Sequence, residues 1–126
     1  MTRLLSCALL LAAAVATDPI ATGTWSVTGD VQGYPVTETC NLVQTDAAIA
    51  GKCIVEDKER VVTGTVADKN ITFSHASEYE GQPLTLTYAG KLDDSGKLSG
   101  TIDVQPLNYQ GTFSATIVPK AVVPGE

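Results

Sequence analysis

From Gly23 to Ile117, apolar positions alternate with hydroxyl-bearing or other small polar positions at a period of two, and no stretch sustains a helical repeat. Leu84, Leu86 and Tyr88 alternate with Thr85, Thr87 and Ala89, and the run continues through Gly90 to Leu92. Ile71 and Phe73 alternate with Thr72 and Ser74, while Leu98, Gly100, Ile102 and Val104 oppose Ser99, Thr101 and Asp103. The last run sets Tyr109, Gly111, Phe113, Ala115 and Ile117 against Gln110, Thr112, Ser114 and Thr116. Each run predicts a strand with one apolar face. Turn-forming clusters at Gly29 to Gly33, Thr45 to Ala48, Glu56 to Glu59, Asp68 to Asn70, Ser77 to Pro83, Asp93 to Gly96 and Gln105 to Asn108 separate them. The spans expected are 23–29, 35–44, 48–55, 60–67, 70–75, 84–92, 97–104 and 108–117. Connections this short make consecutive strands antiparallel neighbours.

A small internal repeat sharpens the prediction. Ile49-Ala50-Gly51-Lys52-Cys53, Val62-Thr63-Gly64-Thr65-Val66, Tyr88-Ala89-Gly90-Lys91-Leu92, Leu98-Ser99-Gly100-Thr101-Ile102 and Tyr109-Gln110-Gly111-Thr112-Phe113 share one design, and Ala21-Thr22-Gly23-Thr24-Trp25 is an imperfect copy. In each, glycine lies on the same strand face as the apolar residues two before and two after it. Glycine weakens a strand, and the structural reason to place it there is a sharp bend or a close backbone approach. A narrow closed barrel requires both. The fold expected is therefore all-β, an eight-stranded antiparallel up-and-down barrel. Its inward face would run from Trp25 and Val27 through Tyr109, Phe113 and Ile117, nearly all apolar.

Two cysteines test the register. A two-residue turn at Asp46-Ala47 places Thr45 opposite Ala48 and, counting outward, Cys40 opposite Cys53 on a closer, non-hydrogen-bonded rung. A four-residue loop from Thr45 to Ala48 keeps that pairing and reverses the parity. In either case a Cys40–Cys53 disulfide ties neighbouring strands and stabilises by about 3 kcal/mol on the loop-entropy model.

The chain of 126 residues is 44% hydrophobic and only 6% aromatic, which suits one modest domain. Arg3, the apolar stretch from Leu4 to Val15, and Ala14-Val15-Ala16 read as an export leader over 1–16 with its cleavage site. That apolar stretch is too short to span a bilayer. Removing it takes away Cys7 and, among the charges, Arg3 alone, so the mature chain is one unit more acidic than the formal −6 of the whole. Paired cysteines suit the oxidising compartment this implies, periplasmic or secreted. Scattered acids and few clustered cations argue against nucleic acid as a partner. Residues 17–22 form an N-terminal arm, 23–117 the barrel, and 118–126 a tail broken by Pro119 and Pro124.

Gly23-Thr24-Trp25 at the opening of the first strand, followed by a meander with Gly-Thr repeats, resembles the calycin group, the lipocalins and avidins. Thr22-Gly23-Thr24-Trp25 with the later Ile49-Ala50-Gly51-Lys52 is similar in particular to the start of avidin-type chains. The resemblance implies a small ligand-binding barrel. Avidins line their biotin site with several tryptophans, where this chain has Trp25 alone, and the late arginine of lipocalins has no counterpart after Arg60. The chain also resembles secreted bacterial inhibitors of zinc metalloproteases, small eight-stranded barrels with an early Gly-x-Trp and an N-terminal arm; Thr17 to Thr22 would be that arm.

An eight-stranded barrel is filled by its side chains or leaves room for one small ligand. The residues expected to meet a ligand are Trp25, Phe73, His75, Tyr88 and Tyr109, with Trp25 also read as a plug at the closed end and His75 as a rim residue ending the fifth strand. The longest expected loop, Ser77 to Pro83, carries Glu78, Tyr79 and Glu80 at the mouth. Catalysis has little material: a single histidine, two paired cysteines, and Glu38 as the one acid placed mid-strand. No zinc or calcium spacing is present, and no cofactor is expected. The reading is an exported, non-catalytic binding protein holding a small apolar ligand in or at the mouth of the barrel. Its alternative is a secreted protease inhibitor or an envelope-associated module with a protein partner.

Overall fold

A computed structural model describes residues 20–118. The expected leader, Cys7, Thr17 to Pro19 of the arm and residues 119–126 of the tail lie outside the described residues. Eight strands, β1 (Gly23–Val31), β2 (Tyr34–Thr45), β3 (Ala48–Val55), β4 (Lys58–Ala67), β5 (Asn70–Tyr79), β6 (Gln82–Leu92), β7 (Leu98–Gln105) and β8 (Tyr109–Ile117), follow one another around a closed antiparallel barrel, with β8 pairing back onto β1. The outer face is predominantly polar, as at Thr24, Ser26, Thr28, Thr63, Thr65 and Ser99. That is the inverse of a membrane barrel, whose outer band is apolar. Among the described residues no helix is long and apolar enough to cross a membrane.

The alternation works as expected, because inward residues are buried and their neighbours are not. Trp25, Val27, Cys40, Cys53, Val62, Ile71, Phe73, Tyr88, Leu98 and Ile102 form the most deeply buried set. Two inward expectations differ. Tyr109 and Ile117, the first and last residues of β8, are 47% and 44% exposed, because each lies where the wall ends and no further layer covers it.

The inward glycines mark the closest backbone approaches. A Cβ added at Gly51 would overlap the Asn41 carbonyl oxygen, and one at Gly100 the Ala89 carbonyl oxygen. Gly100 faces Gly90 across the β6–β7 ladder, so the two strands close on each other where neither carries a side chain. The β2–β3 turn is the two-residue Asp46-Ala47, and it places Cys40 opposite Cys53 with 3.9 Å between their Cα atoms, the closer type of rung. Their disulfide is buried inside the barrel.

The fifth connection departs from the sequence reading. The expected loop from Ser77 to Pro83 is strand on both sides of a two-residue turn, Glu80-Gly81. Both turn residues have positive φ, 51° and 81°, the backbone of a tight hairpin turn that matches strand twist. Gln32-Gly33 and Glu56-Asp57 turn the same way. Pro83 tolerates the strand because the β6–β7 ladder starts only at Thr85, so its missing N–H has no second neighbour to disappoint. Pro35 is placed alike, since β2 meets β3 only from Thr39 onward. The β5–β6 hairpin consequently overhangs both its neighbours at one end, and the β1–β2 hairpin overhangs β3 while β1 stays paired with β8 through Val31. Their tips meet through Tyr34 and Tyr79, packed edge to face at 5.6 Å between ring centroids.

Replacing Gly100 by alanine is expected to force β6 and β7 apart and cost about 1–3 kcal/mol. That lowers Tm by several degrees, at about 4–8 °C per kcal/mol for a domain of this size. Ser99→Ala on the outer face is expected to stay within about 0.5 kcal/mol of the parent. Thermal unfolding of both variants checks this, and equal Tm values would remove close approach as the reason for the glycine.

Candidate functional site

The two ends of the lumen are built differently. At the closed end Trp25 is 1% exposed, and its indole Nε1 donates to the Ala21 carbonyl at 2.9 Å. The Ala21 amide in turn donates to Gln44 Oε1 at 3.0 Å, and Gln44 Nε2 donates to the Asp46 carbonyl at 2.7 Å. Half of the N-terminal arm is thus described, and Ala21 within it is fully buried as part of the plug. Above Trp25 an aromatic layer fills the middle. Phe73 and Tyr88 stack at 4.8 Å with 5° between their planes, and Phe113 meets both edge-on.

A polar layer lies on top of the aromatics. Alternation along β2 turns Glu38 inward on the same face as Cys40, and its side chain reaches groups presented by β5 and β6 on the other side of the lumen. His75 Nε2 donates to Glu38 Oε1 at 2.9 Å, and the Tyr88 hydroxyl donates to Glu38 Oε2. His75 Nδ1 donates to the Ala76 carbonyl at 2.8 Å. With Glu38 ionised, both contacts of the ring are satisfied by its doubly protonated form. Glu38 and His75 are 2% and 3% exposed, so the pair is shielded from water. Burial pushes the imidazolium toward neutrality, but the hydrogen bond and negative charge of Glu38, with the Ala76 carbonyl, outweigh it. They hold His75 above its ordinary value of 6.5, against the opposing charge of Arg60. Burial first, then the Glu38 charge and hydrogen bond, push the Tyr88 phenol above its ordinary 10, so it stays protonated and donates.

Arg60 belongs to the inward parity of β4 and pairs with Cys53. Its Nε is buried without a hydrogen-bond partner, the one such side-chain atom among the described residues. Glu38 also approaches the disulfide, 3.8 Å from Cys40 Sγ. The carboxylate and the two sulfurs lie within 4.8 Å of one another. With the sulfurs bonded to each other, that cluster offers a metal only Glu38, which is already held by two donors.

Above the polar layer the barrel opens. A cavity of about 440 Å3 occupies the overhung mouth, walled by Val31, Val36, Val55, Leu84, Leu86, Val104 and Leu107, with Glu38 at its floor and tyrosines at its rim. Of the residues expected to meet a ligand, Phe73, His75 and Tyr88 come together beneath this floor, Tyr109 lines the mouth, and Trp25 is at the far end of the lumen. His75 is mid-strand rather than at a strand end, because β5 continues to Tyr79. Sequence reasoning noted Glu38 as a mid-strand acid without placing it inside; its shared parity with Cys40 and Leu42 was the available clue.

Because protonated His75 is favoured in the folded state, its contribution to stability is complete below about pH 6.5, the ordinary value, and is lost as pH rises through the higher folded value. His75 is the only histidine of the chain, so a ring-proton NMR titration reads it without ambiguity. Its midpoint is expected above 6.5 in the parent and below 6.5 in Glu38→Gln, where burial, the largest influence, meets only the weaker opposing pull of the Ala76 carbonyl. Glu38→Ala, which leaves the buried His75 ring and Tyr88 hydroxyl without their shared partner, is expected to cost about 1–3 kcal/mol. A parent midpoint at or below 6.5 would refute the coupling.

In comparisons with known proteins no family model matches the chain, and no curated protein or solved structure matches it either, so the reading of the site rests on its geometry.

Proposed function

We propose that the protein is an exported, non-catalytic binding protein that holds a small, largely apolar ligand at the mouth of its barrel. The observation that carries this reading is the cavity of about 440 Å3 with aliphatic walls, above a lumen that is otherwise filled. A volume in that range, apolar walls and a few convergent polar groups are what small-molecule sites share. The overhanging hairpins contribute Val36 and Leu84 to those walls, beyond the point where β2 meets β3 and β6 meets β7. The closed up-and-down meander supports the calycin-like reading of the opening Gly-x-Trp. A buried disulfide is compatible with export to the periplasm or beyond.

The polar layer supports binding over catalysis. Both ring nitrogens of His75 and both oxygens of Glu38 are engaged within the layer, so neither group has a free position directed at the cavity. These groups are arranged to hold one another still beneath the cavity.

Native mass spectrometry of the protein purified from its host, before and after organic extraction, tests the reading. Extraction is expected to remove a bound mass, and returning a lipophilic compound at about 100 times its Kd is expected to stabilise the fold by about 2.7 kcal/mol. Val36→Trp, which fills the cavity from its wall, is expected to abolish both effects while the protein remains folded. An unchanged mass, together with no thermal shift across a lipophilic panel, overturns the proposal.

A further inference from the structure

The mouth is charged with one sign. Every charged side chain that lines the cavity is an acid: Glu56 and Glu78 at the rim and Glu38 at the floor. Glu56-Asp57 and Glu80 occupy the turns beside it, and of the cations nearby Arg60 points inward beneath the cavity while Lys58 reaches Glu78 only at 3.9 Å with both side chains more than half exposed. The closed end is nearly balanced, with Asp46, Asp68, Asp93 and Asp94 set against Lys69, Lys91 and Lys97. The net negative charge of the described residues is therefore concentrated where the lumen opens. A cleft lined by one sign of charge focuses field and draws in the opposite ion.

A second feature coincides with it. The three exposed tyrosines, Tyr34 at 53%, Tyr79 at 44% and Tyr109 at 47%, all line the same cavity, whereas the fourth, Tyr88, is fully buried. Exposed aromatic faces beside carboxylates suit an organic cation, which the rings attract through their negative faces. Deeper in, the walls are aliphatic, and both oxygens of the floor carboxyl are already engaged by His75 and Tyr88. Arg60, the other inward cation, does not line the cavity. A ligand's positive group consequently finds its unmatched partners at the rim and its apolar body finds them below.

We propose that the ligand is an amphiphilic organic cation, such as an amine with an aliphatic or aromatic body, seated with its body against the Val36, Leu86 and Val104 wall and its charged head among Glu56, Glu78 and the rim tyrosines. This rests on reading the cavity as a ligand site, and it adds the chemical class. The like charge of the rim disfavours anionic amphiphiles of the same size.

Three probes with one tail separate the possibilities: octyltrimethylammonium, 1-octanol and octanoate, each titrated calorimetrically below its micellar concentration at neutral pH and low salt. The ammonium probe is expected to bind about tenfold or more tighter than octanol, with octanoate weakest, from exposed ion pairing and aromatic contact together. That advantage is expected to shrink as salt is raised. In the double variant Glu56→Gln/Glu78→Gln it should fall at least threefold while octanol affinity is unchanged. Both side chains are exposed, so the variant is expected to keep the parent's Tm. Equal affinities, tighter octanoate, or an ammonium advantage that survives the double substitution in full would overturn the cation assignment and leave the ligand site standing. Failure of all three probes to bind removes the site reading itself.

Discussion

Closing eight strands on themselves leaves a lumen too narrow for a full side chain at every inward position. Where neighbouring backbones approach most closely, only a glycine fits, and Gly51 and Gly100 are such places because a carbonyl oxygen of the adjoining strand occupies the space a Cβ would take. These positions set how tightly the strands coil, and the coiling sets what the remaining inward residues enclose. Large rings then fill the middle, with Phe73, Tyr88 and Phe113 in mutual contact. The indole of Trp25, fastened to the Ala21 carbonyl, closes one end. The disulfide joins two strands that this geometry already holds 3.9 Å apart at Cα, so it secures a register rather than creating one.

A carboxylate in such an interior is costly unless it is paired and hydrogen-bonded. Glu38 meets that condition with donors from β5 and β6, which makes the polar layer a tie between separate parts of the wall. Replacing such a tie by well-packed apolar residues is often neutral or stabilising, so stability alone does not account for it. The tie has a definite position, between the filled lumen and the open mouth. It fixes Glu38, and with it the depth of the cavity, in one place. It also occupies the lumen at a level where aliphatic side chains from the overhanging hairpins would otherwise be free to collapse inward.

Much of the barrel is legible in the sequence because its period is two and its turns are short. The Cys40–Cys53 pairing follows from counting outward from Asp46-Ala47, and the glycine pentads point to close backbone approach. The overhang is less legible. Ser77 to Pro83 is polar, contains a proline and lacks alternation, all of which describe a loop. It is strand because the projecting hairpin is open to solvent on its outer face and has no second neighbour at Pro83, so neither a buried stripe nor a full ladder constrains its composition. The same looseness hid the site. Glu38 violates the apolar pattern at an inward position, and such a violation becomes informative only when the partners that make it affordable, His75 and Tyr88, can be seen to meet it from across the barrel. Parity alone places Tyr109 inward, and parity says which way a side chain points and not whether the wall extends far enough to cover it.

The asymmetry of the two ends ties these observations together. The end closed by Trp25 satisfies its polar groups internally, through Gln44, Ala21 and Asp46. The other end carries the extended hairpins, the exposed tyrosines, the unbalanced acids and the cavity. Exposed aromatic rings and like charges placed side by side each oppose stability to some degree, through apolar surface left in water and through repulsion. Neither is required to close the barrel, whose continuous ladders run below the overhang. A fold that satisfies its groups at one end and leaves them unmatched around an apolar cup at the other is one that the proposed ligand would complete, by supplying both the apolar surface and the charge.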